Sequence, residues 1–236
     1  MVRKLYDSAG LRPDRDTLAT AISAEIEQEI IQKGFPAGTV IATEAELLSR
    51  FGVSRLVLRQ AAVILEAHGV ARMRRGNGGG LMVLAPDASS VTRTVALFLE
   101  HRGCAGHQIW DVRMLLEPEC AALAATNIDD AGRERLLEWL QQEAGFVTDA
   151  DWRGSIGLHF LVAELSGNPV LQLVIESLAR LSLGRRGRNP NSTKHDHGKV
   201  ARDHRSVVAA IMSGDADRAR EAMRAHTHTA LSEGTN

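Results

Sequence analysis

The chain predicts a mainly α protein: an N-terminal winged helix-turn-helix followed by a C-terminal all-helical bundle. Three observations carry that prediction. Aromatic residues make up only 4% of the 236 residues, while alanine and leucine are abundant, which favours helices over sheets. Residues 43–84 set out capped helix, glycine turn, capped helix and a basic glycine-rich hairpin in one uninterrupted order. From about Ser89 onward every segment carries apolar residues at helical spacing.

The elements follow in order. Residues 1–15 read as a polar arm. Thr17 to Lys33 is helical, with Leu18, Ile22, Ile26 and Ile30 four apart, and Phe35-Pro36-Ala37-Gly38 stops it. A short helix from Glu44 to Arg50 starts at Thr43, whose capping-box partner is Glu46. Gly52 makes the turn. Ser54 caps the next helix, which runs to His68 and ends at Gly69. Residues 70–84 are a hairpin around Gly76–Gly80, suited to lie against a nucleic-acid backbone. The DNA-binding unit is thus placed at 16–84, a linker at 85–88 and the helical unit at 89–232. Helices are expected over 89–101, 107–126, 129–144, 150–166, 169–183, 198–213 and 215–232, with a long polar loop at 184–198.

Charge separates the two halves. Arg50 to Gly76 holds six arginines against one acid, Glu66, or +5 on a chain of formal charge −1, so the remainder sums to −6. Such concentration reserves one surface for a polyanion. In a helix-turn-helix the start of the second helix enters the major groove. Here that is Ser54, Arg55, Leu56, Val57 and Arg59, with Leu58, Ala61, Ala62 and Leu65 as the inward stripe. Arg55 and Arg59 lie one turn apart and can grip guanine edges or phosphates. Thr43, Arg72, Arg74, Arg75 and Gly76 complete the candidate DNA-binding set. The bland alternative is a solvated basic face.

No apolar run has the length of a bilayer span, and the N-terminus lacks an apolar signal core, so the expected location is the cytoplasm with no membrane partner. Cys104 and Cys120 fit no metal or redox spacing and are expected to be buried small residues.

In the second half, His159, His204 and His226 each share a helix face with apolar neighbours, whereas His228 lines up with Arg224 and Ser232 and faces out. Three inward imidazoles on three helices can hold a divalent metal in a bundle core, with Zn, Ni or Fe as suitable ions. The bland reading is three hydrogen-bonded core histidines. Arg113 also sits on an inward face and needs an anion, either Glu117 one turn on or a ligand carboxylate.

The run from Phe35 to Val83 resembles the winged helix-turn-helix of GntR-family bacterial transcription regulators. The matching pieces are Pro36-Ala37-Gly38, Thr43-Glu44-Ala45-Glu46-Leu47, Phe51-Gly52-Val53-Ser54-Arg55, Leu58-Arg59-Gln60-Ala61, Leu65-Glu66-Ala67-His68-Gly69 and Arg75-Gly76-Asn77-Gly78-Gly79-Gly80. The resemblance places Ser54, Arg55, Arg59, Arg75 and Gly76 at DNA-contact positions. Ala45 departs from it, where an arginine is frequent. Residues 90–232 resemble the FCD effector domain of the FadR subfamily. The matches are Asp111-Val112-Arg113, Leu116-Glu117-Pro118-Glu119, Leu158-His159-Phe160, Gly167-Asn168-Pro169, Asp203-His204-Arg205, Ala209-Ala210-Ile211, Gly214-Asp215 and Met223-Arg224-Ala225-His226. That resemblance implies a metal held by one aspartate and the three histidines, but the aspartate position is Ser155 here. It also puts Arg113 near a ligand pocket.

Together these readings imply a ligand-responsive regulator, a repressor, binding a palindromic double-stranded operator as a homodimer. Its effector is expected to be a small organic acid, bound among Arg113, Ser155, His159, His204 and His226, with a metal as the implied cofactor. A site of three histidines lacking the carboxylate is expected to be more cationic. A metallohydrolase is the rival from another class, but no nucleophile elbow, HExxH or placed base supports it. A bundle that only dimerises is the third reading.

Overall fold

The computed structural model describes residues 15–76, 78–85, 89–146, 148, 152–186 and 197–234. The expected arm at 1–15 apart from Arg15, the linker at 85–88 apart from Ala85, and most of the polar loop at 184–198 lie outside the described residues. The chain divides into two compact units between Ser90 and Val91.

The first unit contains α1 (Arg15–Lys33), β1 (Val40–Ala42), α2 (Glu44–Phe51), α3 (Arg55–Ala67), β2 (Ala71–Arg74) and β3 (Gly80–Val83). The expected α1 stripe is buried in full, and Leu18, Ile22, Ile26 and Ile30 join Leu47, Leu58, Ala61 and Leu65 in one core. Both caps form. The Thr43 side chain accepts from Glu46 N at 3.3 Å while Glu46 Oε2 accepts from Thr43 N at 2.7 Å. Ser54 Oγ accepts from Val57 N. Gly52 turns the chain between α2 and α3 at φ 63°, a conformation open to glycine.

Strand β1 was not expected. Three residues are too few to show alternation, and only pairing reveals them. The sheet order is β1-β3-β2, so β3 is central and antiparallel to both neighbours. Gly80 permits this arrangement, since a Cβ there would meet the Ala42 carbonyl oxygen at 2.3 Å.

The second unit is helical throughout: α4 (Ser89–His101), α5 (Gly106–Asn127), α6 (Asp130–Glu143), α7 (Trp152–Ser155), α8 (Gly157–Leu165), α9 (Pro169–Arg186), α10 (His197–Met212) and α11 (Ala216–Gly234). Helix α5 is the hub, packing on α8, α9, α10 and α11. Its buried Ala121, Ala124 and Ala125 let those helices approach closely around Leu158, Val162, Ile175, Val207 and Ile211. Asn168 caps α9 through its side-chain oxygen, and Asp215 caps α11.

Two expectations need correction. The single helix over 150–166 is two, α7 and α8, with a tightened turn at Ile156 where His159 N bonds Ile156 O. Gly154 and Gly157 flank that turn, and each costs helix stability. Their missing side chains admit the Phe146 ring and the Trp139 indole, which a Cβ would meet at 2.8 Å in both cases. Cys120 is buried and its thiol is pushed up to about 12 by that burial, but Cys104 is only half-buried. No helix among the described residues is long and apolar enough to cross a membrane.

Candidate nucleic-acid interface and metal centre

The start of α3 presents its polar side outward. Ser54, Arg55, Leu56 and Arg59 are exposed, Leu56 at 51%. Arg55 Nε lies 3.8 Å from Glu44 Oε1, a loose surface pair worth little. Strand β2 alternates, so Arg72 and Arg74 share one exposed face, followed by exposed Arg75 and Gly76. Arg74 Nη2 donates to Gly78 O at 2.7 Å, which ties the side chain to the hairpin tip.

Val57 is the correction. It is 5% exposed and packs in the core with Leu58, so its side chain does not reach a base edge. Helical spacing explains this: Val57 falls three residues before Gln60 and four before Ala61, on the edge of the buried stripe. Thr43 is exposed but commits its hydroxyl to Glu46. Arg50, counted in the local charge, pairs with Glu29 at 2.5 Å and Glu25 at 3.2 Å across α1. It also lies over the Phe51 ring. Its charge is cancelled from outside the window in which it was counted.

In the second unit the three histidines come together. His159 from α8, His204 from α10 and His226 from α11 are all buried, and their ligand atoms lie within 4.8 Å of one another. His228 is exposed, as its spacing implies. The geometry is sharper than proximity. His204 Nε2 lies 3.2 Å from His226 Nε2, which lies 3.4 Å from His159 Nε2. Two of the three edges thus match the roughly 3.3 Å that separates two nitrogens held at 2.0–2.1 Å by a tetrahedral ion.

The opposite ring atoms face carboxylates. His159 Nδ1 donates to Glu117 Oε2 at 2.8 Å, and His204 Nδ1 to Glu143 Oε1 at 2.5 Å. His226 Nδ1 lies 3.9 Å from Asp203 Oδ2, and both atoms are buried with no hydrogen-bond partner. The carboxylates of Glu117 and Glu143 fix His159 and His204 with Nδ1 protonated, so two bare Nε2 lone pairs face His226 Nε2. That arrangement accommodates a cation among the three rings or a proton on His226 Nε2. Arg113 completes the group, 2% exposed, with Nε on Glu117 Oε1 at 2.5 Å and its guanidinium 4.2 Å over Trp110. With neutral imidazoles, three carboxylates and one guanidinium leave a formal −2, which a divalent cation would balance.

This overturns the expectation of a more cationic site. The carboxylates are present, one layer behind the histidines. Glu117 was visible from its spacing to Arg113 as that residue's partner, but not as the anchor of His159. Glu143 and Asp203 were not assigned at all. Glu143 lies 61 residues from the ring it faces and Asp203 on the helix before its ring, so helical period marks neither pairing. Ser155 is buried at the end of α7 and, with Glu143, lines a cleft of about 390 Å³.

Burial lowers the His159 ring to about 4, with Arg113 adding to the effect and Glu117 opposing it. His204 is lowered too, chiefly by burial. In Glu117 burial works to raise the carboxyl, but Arg113 and two hydrogen bonds outweigh it, so it stays ionised below the ordinary range. The His159 shift sets a stability–pH relation for the metal-free protein. Above pH 6.5 the ring is neutral folded or unfolded, so no proton is exchanged. Between 6.5 and 4 only the unfolded chain takes the proton, and stability falls by about 1.4 kcal/mol per pH unit. Urea unfolding in chelator at pH 7 and pH 5 should therefore differ by about 2 kcal/mol from this ring alone. Equal stabilities would mean that His159 titrates normally.

Comparison with known proteins agrees with this architecture. The FCD domain model matches residues 108–229, and the model for bacterial regulatory proteins of the gntR family matches residues 18–80. The HTH-type transcriptional repressor NanR of Citrobacter rodentium is 27% identical over 222 residues, covering 91% of this chain and 84% of that protein. NanR of Cronobacter sakazakii is 27% identical over 230 residues, covering 94% and 87%. The solved structure of Streptococcus agalactiae GntR superposes with a TM-score of 0.70 at 19% identity, over 90% of this chain and 98% of that one, which shows a shared fold. These families and relatives are transcription regulators, not enzymes, and the hydrolase reading falls with them. A winged helix-turn-helix unit joined to an FCD unit makes this chain a member of the GntR family of bacterial regulatory proteins, a ligand-responsive regulator of transcription.

Proposed function

We propose that this chain is a cytoplasmic, FadR-type repressor whose second unit holds a divalent metal on His159, His204 and His226 and senses a small organic acid. The observation that carries the reading is the convergence of three Nε2 atoms, each ring backed by a carboxylate. Zn, Ni and Fe all suit three neutral imidazoles. When bound, the ion would supply an electrophilic centre with a coordination position left for an acid oxygen. Glu117 and Glu143 orient two of the rings, and Arg113 holds Glu117 in place. The similarity to NanR, a transcriptional repressor, supports repression.

On DNA, Ser54, Arg55 and Arg59 read the major groove while Arg72, Arg74, Arg75 and Gly76 grip the backbone. Pairing as a two-fold homodimer would require a palindromic operator. An operator selected from random duplexes tests the assignment. Arg55→Ala and Arg59→Ala should each cost about 1–3 kcal/mol of specific binding, roughly tenfold or more. Arg72→Ala should weaken all sequences alike and reduce the salt slope by about 1. Unchanged affinity in both α3 variants would remove this helix from the interface.

A further inference from the structure

Helix α3 buries Val57, Leu58, Ala61, Ala62 and Leu65 in the core of the first unit. Two of its large apolar residues are exposed instead, Leu56 at 51% and Val63 at 66%. They are seven residues apart and so share one side of the helix, with Arg59 three residues from one and four from the other. Leu56 stands in the first turn, where an acid would stabilise a helix. The first turn of α2 has Glu44 and Glu46, whereas that of α3 has no acid. A half-exposed leucine at this position therefore does little for the fold: it neither fills the core nor complements the helix dipole.

We infer that Leu56 is a specificity-determining residue that reads a thymine in the operator by its methyl group, beside the base pair addressed by Arg55. The inference rests on the proposed placement of α3 in the major groove, and it adds a base identity that no hydrogen bond supplies. Base edges in that groove are donors and acceptors apart from one apolar group, the thymine C5-methyl. A leucine pressed on polar edges would strip them of water and return no hydrogen bond. Against the methyl, both surfaces leave water together. Adjacent Cα atoms are about 3.8 Å apart, close to the roughly 3.4 Å rise of a base pair, so Arg55 and Leu56 address neighbouring steps. Val63 lies about 10 Å further along the axis, beyond the N-terminal part of the helix that reaches bases.

The probe is an operator selected from random duplexes with the full chain. Each of its thymines is replaced in turn by deoxyuridine, which removes the methyl and keeps the Watson–Crick pairing. At a thymine read by Leu56 the parent should lose about fourfold in affinity, the effect of one buried methylene-sized group. Leu56→Ala exchanges an exposed side chain for a good helix former, so the fold is retained. This variant should bind the thymine duplex several-fold more weakly than the parent and no longer distinguish thymine from uracil at that position. Val63→Ala should distinguish them as the parent does. No methyl-dependent thymine in the parent, the same dependence in Leu56→Ala, or its loss in Val63→Ala instead would each overturn the inference. Arg55→Ala on the same duplexes separates this result from the placement of α3. A loss of about tenfold there without any methyl effect keeps α3 in the groove and removes Leu56 as a reader. Unchanged binding by Arg55→Ala, Arg59→Ala and Leu56→Ala alike takes the helix off the DNA and the inference with it.

Discussion

Glu117→Leu should destabilise the protein by about 3–5 kcal/mol, the cost of breaking a buried ion pair by removing one partner. Glu117 is 1% exposed and serves two neighbours at once, Arg113 Nε at 2.5 Å and His159 Nδ1 at 2.8 Å. Without it the guanidinium remains in the core over the Trp110 ring with its carboxylate partner gone. The same substitution releases the His159 ring from its tautomer, and loss of such an outer partner lowers metal affinity 10- to 100-fold in comparable sites. The comparison is Arg135→Ala, which removes a pair with Glu164 whose side chains are both nearly half exposed. That pair contributes below 1 kcal/mol. Urea unfolding measures both. Glu117→Leu combined with Arg113→Met should recover most of the loss, because an apolar pair of similar volume carries no buried charge. A Glu117→Leu variant within 1 kcal/mol of the parent would show that Arg113 finds another anion.

The sequence was most informative where structure is local. Thr43 with Glu46, and Ser54 before α3, act within three residues of themselves, so their roles as caps could be read before any fold was known. The inward faces of His159, His204 and His226 followed from period alone. What period does not contain is which faces meet. Convergence of the three rings depends on α8, α10 and α11 all packing against α5. The partnership of Glu143 with His204 spans 61 residues, and that of Glu117 with His159 spans 42. Val57 was misplaced for a related reason: the width of the buried stripe depends on what α3 packs against, here α1 as well as the sheet. The departure at Ser155 suggested a site short of negative charge. Three outer carboxylates reverse that conclusion, and they are visible only in three dimensions.

His226→Ala should abolish tight metal binding, whereas Asp203→Asn should only weaken it. The parent chain is expected to hold one divalent ion, and Co²⁺ as a spectroscopic probe should give the strong visible bands of a tetrahedral site. An ion present at a hundredfold over its dissociation constant adds about 2.7 kcal/mol to folding stability, seen as a rise in melting temperature. His226 supplies the nitrogen that lies within 3.4 Å of both other Nε2 atoms, so its loss removes the apex of the set. Asp203 plays a different part. Its Oδ2 and His226 Nδ1 are both buried and unpartnered at 3.9 Å, where the other two pairs are closed at 2.8 and 2.5 Å. A metal drawing the ring into line would let that third bond close. Asp203→Asn should therefore keep one ion per chain, lower its affinity 10- to 100-fold and alter the Co²⁺ bands. Should His226→Ala retain an ion as tightly as the parent, the three rings are a hydrogen-bonded core and the metal reading is wrong. Should Asp203→Asn match the parent in both affinity and spectrum, His226 is held by packing alone.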